Sequence, residues 1–125
     1  MIFQYSWQAV LNKQKTQTRR TISGNDSPVH DQHKQITAVM NNGRLKWKVG
    51  QTYAVQKGRG KPEIARIRIT HIRSEPVSEI SSTDAKAEGW DNKQEFFAGW
   101  QQIHGENSLN QSVWALTFEL IEPTK

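Results

Sequence analysis

The ten residues Ile64–Arg73 constrain the fold most, because their side chains alternate between apolar and basic. Ile67 and Ile69 fall on one parity of this segment, and Arg66 and Arg68 fall on the other. Alternation with a period of two places successive side chains on opposite faces of a β-strand. The pattern therefore predicts a strand that packs Ile67, Ile69 and His71 on a core and carries its arginines on the other face.

Four further segments have the composition of strands. Val113–Ile121 is too apolar to be exposed on both sides, and we expect a buried closing strand there. Leu45–Val49 and Thr52–Gln56 predict two strands separated by a turn at Gly50. The threonines of Thr16–Ile22 favour a fifth strand near the N-terminus.

Helix signals lie between the long strand and the closing strand. A helix that runs to Glu88, where Gly89 supplies the stop, is predicted from four residues with N-cap chemistry: Ser81, Ser82, Thr83 and Asp84. A second helix is predicted over Asn92–His104 because its large apolar residues recur at helical spacing. A shorter helix is expected to begin after Ser6.

The segment Ser23–Arg44 is polar and aperiodic. It predicts a long surface loop that contains one helical turn at Gln35–Met40. With about five strands and two or three short helices, the pattern predicts one α+β domain over residues 1–125. A small, mostly antiparallel β-barrel with peripheral helices fits this pattern best.

Composition narrows the classes of function. The chain has no cysteine, which excludes disulfides, thiolate zinc sites and cysteine nucleophiles. His30 and His33 lie in a polar segment without a third ligand, so no metal and no cofactor is expected. No apolar run approaches ~18 residues, and the N-terminus lacks signal-peptide features, so we expect a cytoplasmic protein without a membrane partner. The net charge of +5 favours an anionic partner such as nucleic acid.

The hexapeptide Lys15–Arg20 carries the first candidate chemistry, with one lysine, two threonines and two arginines. A lysine near a hydroxyl is the raw material of an activated nucleophile, and paired arginines recognise anions. The alternative is a solvated strand edge. Lys15 and Thr18 would point to opposite faces of a regular strand, so a shared role requires Lys15 to lie in a turn. Thr18 and Arg20 would then share one face.

Glu88 is the second candidate. It is predicted at the C-terminal end of a helix, where the helix dipole disfavours a carboxylate and favours its protonated form. A protonated carboxyl group suits a general acid. The alternative is a surface residue that forms a local ion pair with Lys86 or Lys93.

Four segments in order resemble the ASCH domain, a PUA-like β-barrel family: Lys15–Arg20, Val49–Thr52, Asp84–Gly89 and Val113–Leu120. The resemblance spans nearly the whole chain, and it is greatest to the branch of N4-acetylcytidine amidohydrolases. It implies hydrolysis of the acyl group on N4 of a modified cytidine nucleoside. The roles it implies are general base for Lys15, nucleophile for Thr18 and proton donor for Glu88.

The chain also departs from that branch at three places. Lys13 stands where the family usually has glycine, and it would carry a strain of about 1 kcal/mol in a left-handed conformation. Arg19 stands where an apolar residue is usual, and the segment Ser23–Arg44 is longer than in compact amidohydrolases.

A nucleoside substrate requires binding residues besides the catalytic ones. We expect five residues to contact it: Arg19, Arg20, Trp47, Arg66 and Arg68. Trp47 lies between two lysines and is a candidate for stacking on a base, or else for core packing. The alternative function is a domain that binds or cleaves single-stranded RNA, or only binds a nucleotide, without amidase activity.

Overall fold

The computed structural model describes residues 1–123, which form one seven-stranded sheet with three α-helices. In chain order the elements are α1 (Trp7–Leu11), β1 (Gln17–Thr21), β2 (Asp26–His30), β3 (Ile36–Asn41), β4 (Arg44–Lys48), β5 (Thr52–Gln56), β6 (Glu63–Pro76), a 3₁₀ turn (Val77–Glu79), α2 (Ser82–Ala87), α3 (Lys93–His104) and β7 (Ser112–Pro123). All pairs of these strands are antiparallel. The predicted α+β class is confirmed.

Strand order is β1-β7-β6-β3-β2, with β4 paired to β3 and β5 paired to β6. Strands β6 and β7 pair along almost their whole lengths and form the spine of the sheet. In the described part of the chain no pairing joins β1 to β2. The strands pair in antiparallel orientation, as predicted. Because β1 and β2 are not paired in this part of the chain, the sheet does not close into a barrel.

The long strand predicted over Ile64–Arg73 is confirmed as the centre of β6. Ile67 and Ile69 are buried, as their parity predicts, but the alternation changes after Ile69. Ile69 pairs with Phe118 and His71 with the next residue, Thr117, so Thr70 is the extra residue of a β-bulge. Because of this bulge Ile72 enters the core and His71 is exposed. The expectation of a core position for His71 was wrong.

The predicted loop over Ser23–Arg44 was also wrong, because the hairpin β2–β3 occupies most of it. Strand β2 is almost entirely exposed, which explains its polar, aperiodic sequence. The apolar residues at Gln35–Met40 belong to β3 and not to a helical turn, and Val39 is fully buried. Pairing with neighbouring strands decided this conformation, and no local sequence pattern carries that information.

Asp26 of β2 connects the hairpin β2–β3 to β7 through its side chain. Its carboxylate accepts hydrogen bonds from Trp114 Nε1 at 2.9 Å, Asn41 Nδ2 at 2.9 Å and Lys46 Nζ at 3.1 Å. Burial raises the pKa of Asp26, but hydrogen bonds from Asn41, Ser23, Trp114 and Lys46 outweigh it and hold the pKa below its ordinary range. The ionised carboxylate therefore stabilises the hairpin on β7.

Both predicted helices after β6 are confirmed, and the N-cap of the first is one of the four predicted candidates. Ser81 Oγ accepts from the amide of Asp84, and Asn92 Oδ1 accepts from the amide of Glu95. Phe96 and Trp100 of α3 pack with Ala85 of α2 on a core cluster below the end of β6. In residues 1–123 no helix has the length and apolar composition that a bilayer crossing requires.

Candidate functional site

Lys15 reaches its position through a tight turn between α1 and β1. Helix α1 ends at Leu11, and Lys13 then adopts a left-handed conformation with φ of 66°. The amide of Lys15 donates to the carbonyl of Ala9 at 3.0 Å, which folds the chain back on the helix before β1 begins at Gln17. Lys15 thus lies in a turn, the arrangement that a role shared with Thr18 requires. The strained conformation of Lys13 explains why glycine would suit that position.

Glu88 comes to the same place from α2. It is the C-cap residue of α2, and Gly89 follows it with φ of 99°. The amide of Thr16 donates to the carbonyl of Ala87 at 2.7 Å, which ties the end of α2 to the turn before β1. This backbone hydrogen bond therefore holds the end of α2 beside Lys15.

Lys15 and Glu88 form a buried ion pair. Lys15 Nζ lies 2.9 Å from Glu88 Oε1 and 3.2 Å from the main-chain carbonyl oxygen of Glu88. Their side chains are 8% and 5% exposed, respectively. The local partners that sequence suggested for Glu88, Lys86 and Lys93, are thus replaced by a lysine 73 residues away. A pair so close and so dry can exchange a proton without solvent.

Arg19 holds the other oxygen of Glu88. Arg19 Nη1 donates to Glu88 Oε2 at 2.9 Å and to Gln17 Oε1 at 3.0 Å. Its Nε and Nη2 donate to Glu75, and Nη2 also contacts Asp84. The side chain has no exposed surface, and these contacts occupy its donors. Arg19 was expected to bind substrate, and this geometry leaves it no free donor for a ligand.

Two more side chains complete the ionic cluster around Arg19. Arg73, at the end of the predicted strand, contacts both Asp84 and Glu75. Gln17 donates from Nε2 to Asp84 Oδ1 at 3.0 Å. Sequence reasoning missed Gln17, Arg73, Glu75 and Asp84. Only Gln17 carries a readable signal, because it shares the parity of Lys15 and Arg19.

Thr18 and Arg20 lie on the opposite face of β1. Thr18 is 5% exposed, and its Oγ1 lies 3.3 Å from Arg20 Nε. Arg20 also donates to the carbonyl of Ile2 at 2.8 Å and lies over the ring of Phe3. Burial lowers the pKa of Arg20, and the charge of Glu88 opposes that shift. Among residues 1–123, Lys15 Nζ donates to Glu88 and makes no hydrogen bond to Thr18.

A cavity of about 240 Å³ opens beside Lys15. It is lined by both apolar and charged side chains: Val10, Lys13, Lys15, Thr16, Phe118, Glu119 and Leu120. Thr18 and Glu88 are not among these residues. The structure therefore shows Lys15 at the junction of three features: the cavity, the ion pair with Glu88, and the strand that carries Thr18.

The remaining predicted binding residues, Trp47, Arg66 and Arg68, lie on β4 and β6. Trp47 packs in the core with Val39 and Trp114, so core packing, the alternative that the sequence left open, is its role. Arg66 contacts Thr52 on β5 and Glu63 on its own strand, and Arg68 contacts Glu119 on β7. None of these three has a contact with Lys15, Thr18 or Glu88 in the described residues.

The described residues contain no cluster of three or more histidine and carboxylate side chains that could hold a metal ion. His30 and His33 are both exposed. The side chains at this site supply amine, hydroxyl, guanidinium and carboxyl groups.

Comparisons with known proteins bear on the fold. No protein-family model matches the chain, and no curated protein matches it either. Among solved structures it is similar to a protein of Enterococcus faecalis assigned to the family DUF984, with a TM-score of 0.63 and 18% identity over 95% of this chain and 71% of that one. It is also similar to an ASCH domain from Lactobacillus crispatus, with a TM-score of 0.53 and 17% identity over 93% of this chain and 70% of that one. The chain has the fold of these proteins, which confirms the fold that the motifs imply.

Proposed function

We propose that the protein hydrolyses the acyl group on the exocyclic N4 of cytidine-type nucleosides, with N4-acetylcytidine as the simplest substrate. The observation that carries the proposal is the buried hydrogen bond of 2.9 Å between Lys15 Nζ and Glu88 Oε1. The ASCH-like fold and the motif that contains Lys15 and Thr18 support it. The reaction needs a nucleophile, a base for its proton, an acid for the departing nitrogen and a donor for the oxyanion.

The Lys15–Glu88 pair holds the right number of protons for two of these roles. As an ammonium and a carboxylate, the pair carries one proton more than a neutral amine beside a carboxylate. Transfer of that proton across the hydrogen bond leaves a neutral amine, which is a base, and a carboxylic acid, which is a proton donor. The pair therefore supplies base and acid together without gaining or losing a proton.

Acylation begins from that neutral form. Thr18 Oγ1 attacks the acyl carbon, and its proton passes to Lys15 Nζ. The bond between the acyl carbon and N4 breaks as Glu88 donates its proton to N4, and neutral cytidine leaves. The products are an acyl ester on Thr18 and an ion pair of the kind seen in the structure.

Deacylation returns the protons. A water molecule attacks the ester carbon and gives one proton to Glu88, while Lys15 returns its proton to Thr18 Oγ1. The carboxylic acid is released, and the neutral pair is restored. Each proton that leaves one group arrives at another, so the cycle needs no metal and no redox partner.

In this scheme Arg20 binds the substrate. Its Nε already lies 3.3 Å from Thr18 Oγ1, so it is positioned beside the carbon that this oxygen attacks. A donor at that place stabilises the oxyanion that forms on attack. For the first proton transfer, Lys15 Nζ has to turn from Glu88 towards Thr18, which its flexible four-carbon stem permits.

The test is direct incubation of the protein with N4-acetylcytidine, with chromatography to measure cytidine. Thr18→Val keeps the shape of the side chain and removes the nucleophile, so we expect no turnover, while Thr18→Ser retains part of the activity. Turnover by Thr18→Val at the wild-type rate would exclude Thr18 as the nucleophile.

A second candidate function, binding of single-stranded RNA, is favoured by a different surface. Tyr5 is 79% exposed, and Lys57 Nζ lies 4.2 Å from the centre of the Trp7 ring. Lys57 begins a basic, glycine-rich turn that ends at Lys61. Aromatic rings beside cations bind single strands by stacking and by phosphate contacts, and such binding weakens steeply with salt. Hydrolysis of an uncharged nucleoside should depend little on salt, so one salt titration separates the two functions.

A further inference from the structure

Arg19 is the residue whose surroundings the proposed chemistry leaves unexplained. A guanidinium group has five N–H donors, and Arg19 makes five contacts, to Gln17, Glu75, Asp84 and Glu88. Its side chain has no exposed surface. An arginine so completely occupied is held in one orientation, and it holds its partners in theirs.

Both oxygens of the Glu88 carboxylate accept a hydrogen bond from a cationic side chain. Lys15 holds Oε1 at 2.9 Å, and Arg19 holds Oε2 at 2.9 Å. The carboxylate therefore cannot rotate away from Lys15 without breaking a charge-assisted hydrogen bond. Arg19 in turn is held by Glu75 and Asp84, which lie on β6 and α2. The orientation of Glu88 thus depends on a chain of contacts that reaches two other elements.

The cluster is balanced in charge, with three cations and three carboxylates: Lys15, Arg19, Arg73, Glu75, Asp84 and Glu88. Arg20 is a further cation whose charge interacts with Glu88. Because burial weakens screening by water, each of these charges acts on the proton held by Lys15 and Glu88. The cation nearest to the carboxylate, apart from Lys15, is Arg19.

We propose that Arg19 is a positioning residue: it fixes the Glu88 carboxylate against Lys15 and sets the pH range in which that pair holds one proton. The proposal rests on the proposed function. A cation beside the pair disfavours uptake of a second proton at low pH and favours loss of the remaining proton at high pH. Arg19 therefore moves both limbs of the pH profile to lower pH, while Glu75 and Asp84 oppose it.

Two substitutions test this by moving the profile in opposite directions. Arg19→Met removes the cation, and both limbs of kcat/KM should move to higher pH by at least about one pH unit, the lower end of the effect of a neighbouring opposite charge. Glu75→Gln removes an anion that balances Arg19, and both limbs should move to lower pH. Arg19→Lys keeps the positive charge but loses the planar guanidinium group that orients Glu88. Both limbs of the pH profile should therefore stay where they are in the wild type, while kcat falls.

A purely structural role predicts something else. Loss of packing alone would lower the amount of active protein and leave the limbs of all three variants where they are in the wild type. Glu75 does not touch Glu88 and is partly exposed, so Glu75→Gln is expected to fold. If Arg19→Met does not fold, Glu75→Gln and Arg19→Lys still give contrasting expectations.

A measurement without substrate distinguishes this inference from the proposed function. The side-chain carboxyl of Glu88 is followed by ¹³C NMR against pH, and its signal is identified by its absence from Glu88→Gln. The titration midpoint should rise in Arg19→Met and fall in Glu75→Gln. Midpoints equal to that of the wild type would overturn the inference. Shifted midpoints in a protein that leaves N4-acetylcytidine intact would reject the proposed function alone.

Discussion

Replacing Lys15 with arginine separates the role of a base from the role of a cation. Arginine keeps the positive charge and can still hold Glu88 Oε1, but it cannot accept a proton at any ordinary pH. If Lys15 is the base, both proton transfers that involve it are lost. We expect kcat for N4-acetylcytidine to fall by at least ~10²-fold, the usual scale of acid–base assistance. That factor corresponds to about 2.7 kcal/mol of activation free energy.

The structure also limits the effect on folding. Lys15→Arg retains a cation for Glu88, and Glu88 keeps its bond to Arg19, so no buried charge is left without a partner. Lys15→Met removes the cation and should destabilise the fold by about 1–3 kcal/mol, the cost of an unsatisfied buried polar group. Urea unfolding of the two variants measures this difference.

The assay is cytidine release under saturating substrate, with the folded fraction of each variant determined beforehand. Lys86→Arg is the matched control, because Lys86 is an exposed lysine on α2 two residues before Glu88. It should turn over substrate at the wild-type rate. A Lys15→Arg protein with near-normal turnover would refute the reasoning, since it would show that Lys15 serves only as a cation.

Two further predictions concern stability. Lys13→Gly should raise the free energy of unfolding by up to about 1 kcal/mol, because glycine adopts the left-handed conformation of this turn without strain; a lower urea midpoint would contradict this. Asp26→Asn should lower it by at least about 2 kcal/mol at pH 7, since hydrogen bonds to a charged group are lost. The folded pKa of Asp26 lies below its unfolded value of ~3.9. Its contribution is therefore fully present above that pH and lost progressively on acidification, so the difference in stability between wild type and variant should begin to narrow below about pH 4.

Sequence reasoning succeeded where the decisive forces were local. The N-cap chemistry around Ser81, the glycine stop at Gly89 and the alternation before Ile69 each act over a few residues, and the structure has them as predicted. The bulge at Thr70 could not be predicted in this way, because an extra residue is set by pairing with β7. A single inserted residue then reversed the faces of His71 and Ile72.

Sequence reasoning missed the hairpin β2–β3 and the contact between Lys15 and Glu88 for related reasons. An edge strand such as β2 has no buried face, and its sequence looks like a loop until its partner is known. The pairing of Lys15 with Glu88 spans 73 residues, and the motifs located both residues without showing that they touch. Trp47 shows that local composition can also mislead. Its two flanking lysines suggest an exposed side chain, but the alternation of β4 places the indole ring in the core.

Arg19 combines a position in a local motif with contacts to residues far away in the chain. As a residue of the motif it looks like a second anion-binding arginine beside Arg20, but the two alternate on β1 and point to opposite faces. An apolar residue at position 19 would leave Glu75 and Asp84 without their buried cation, so the departure from the family pattern and the two carboxylates form one unit. The chain therefore holds its candidate acid with a charge that an apolar residue cannot supply. The pH range of the reaction should accordingly depend on Glu75, a residue that the reacting atoms never touch.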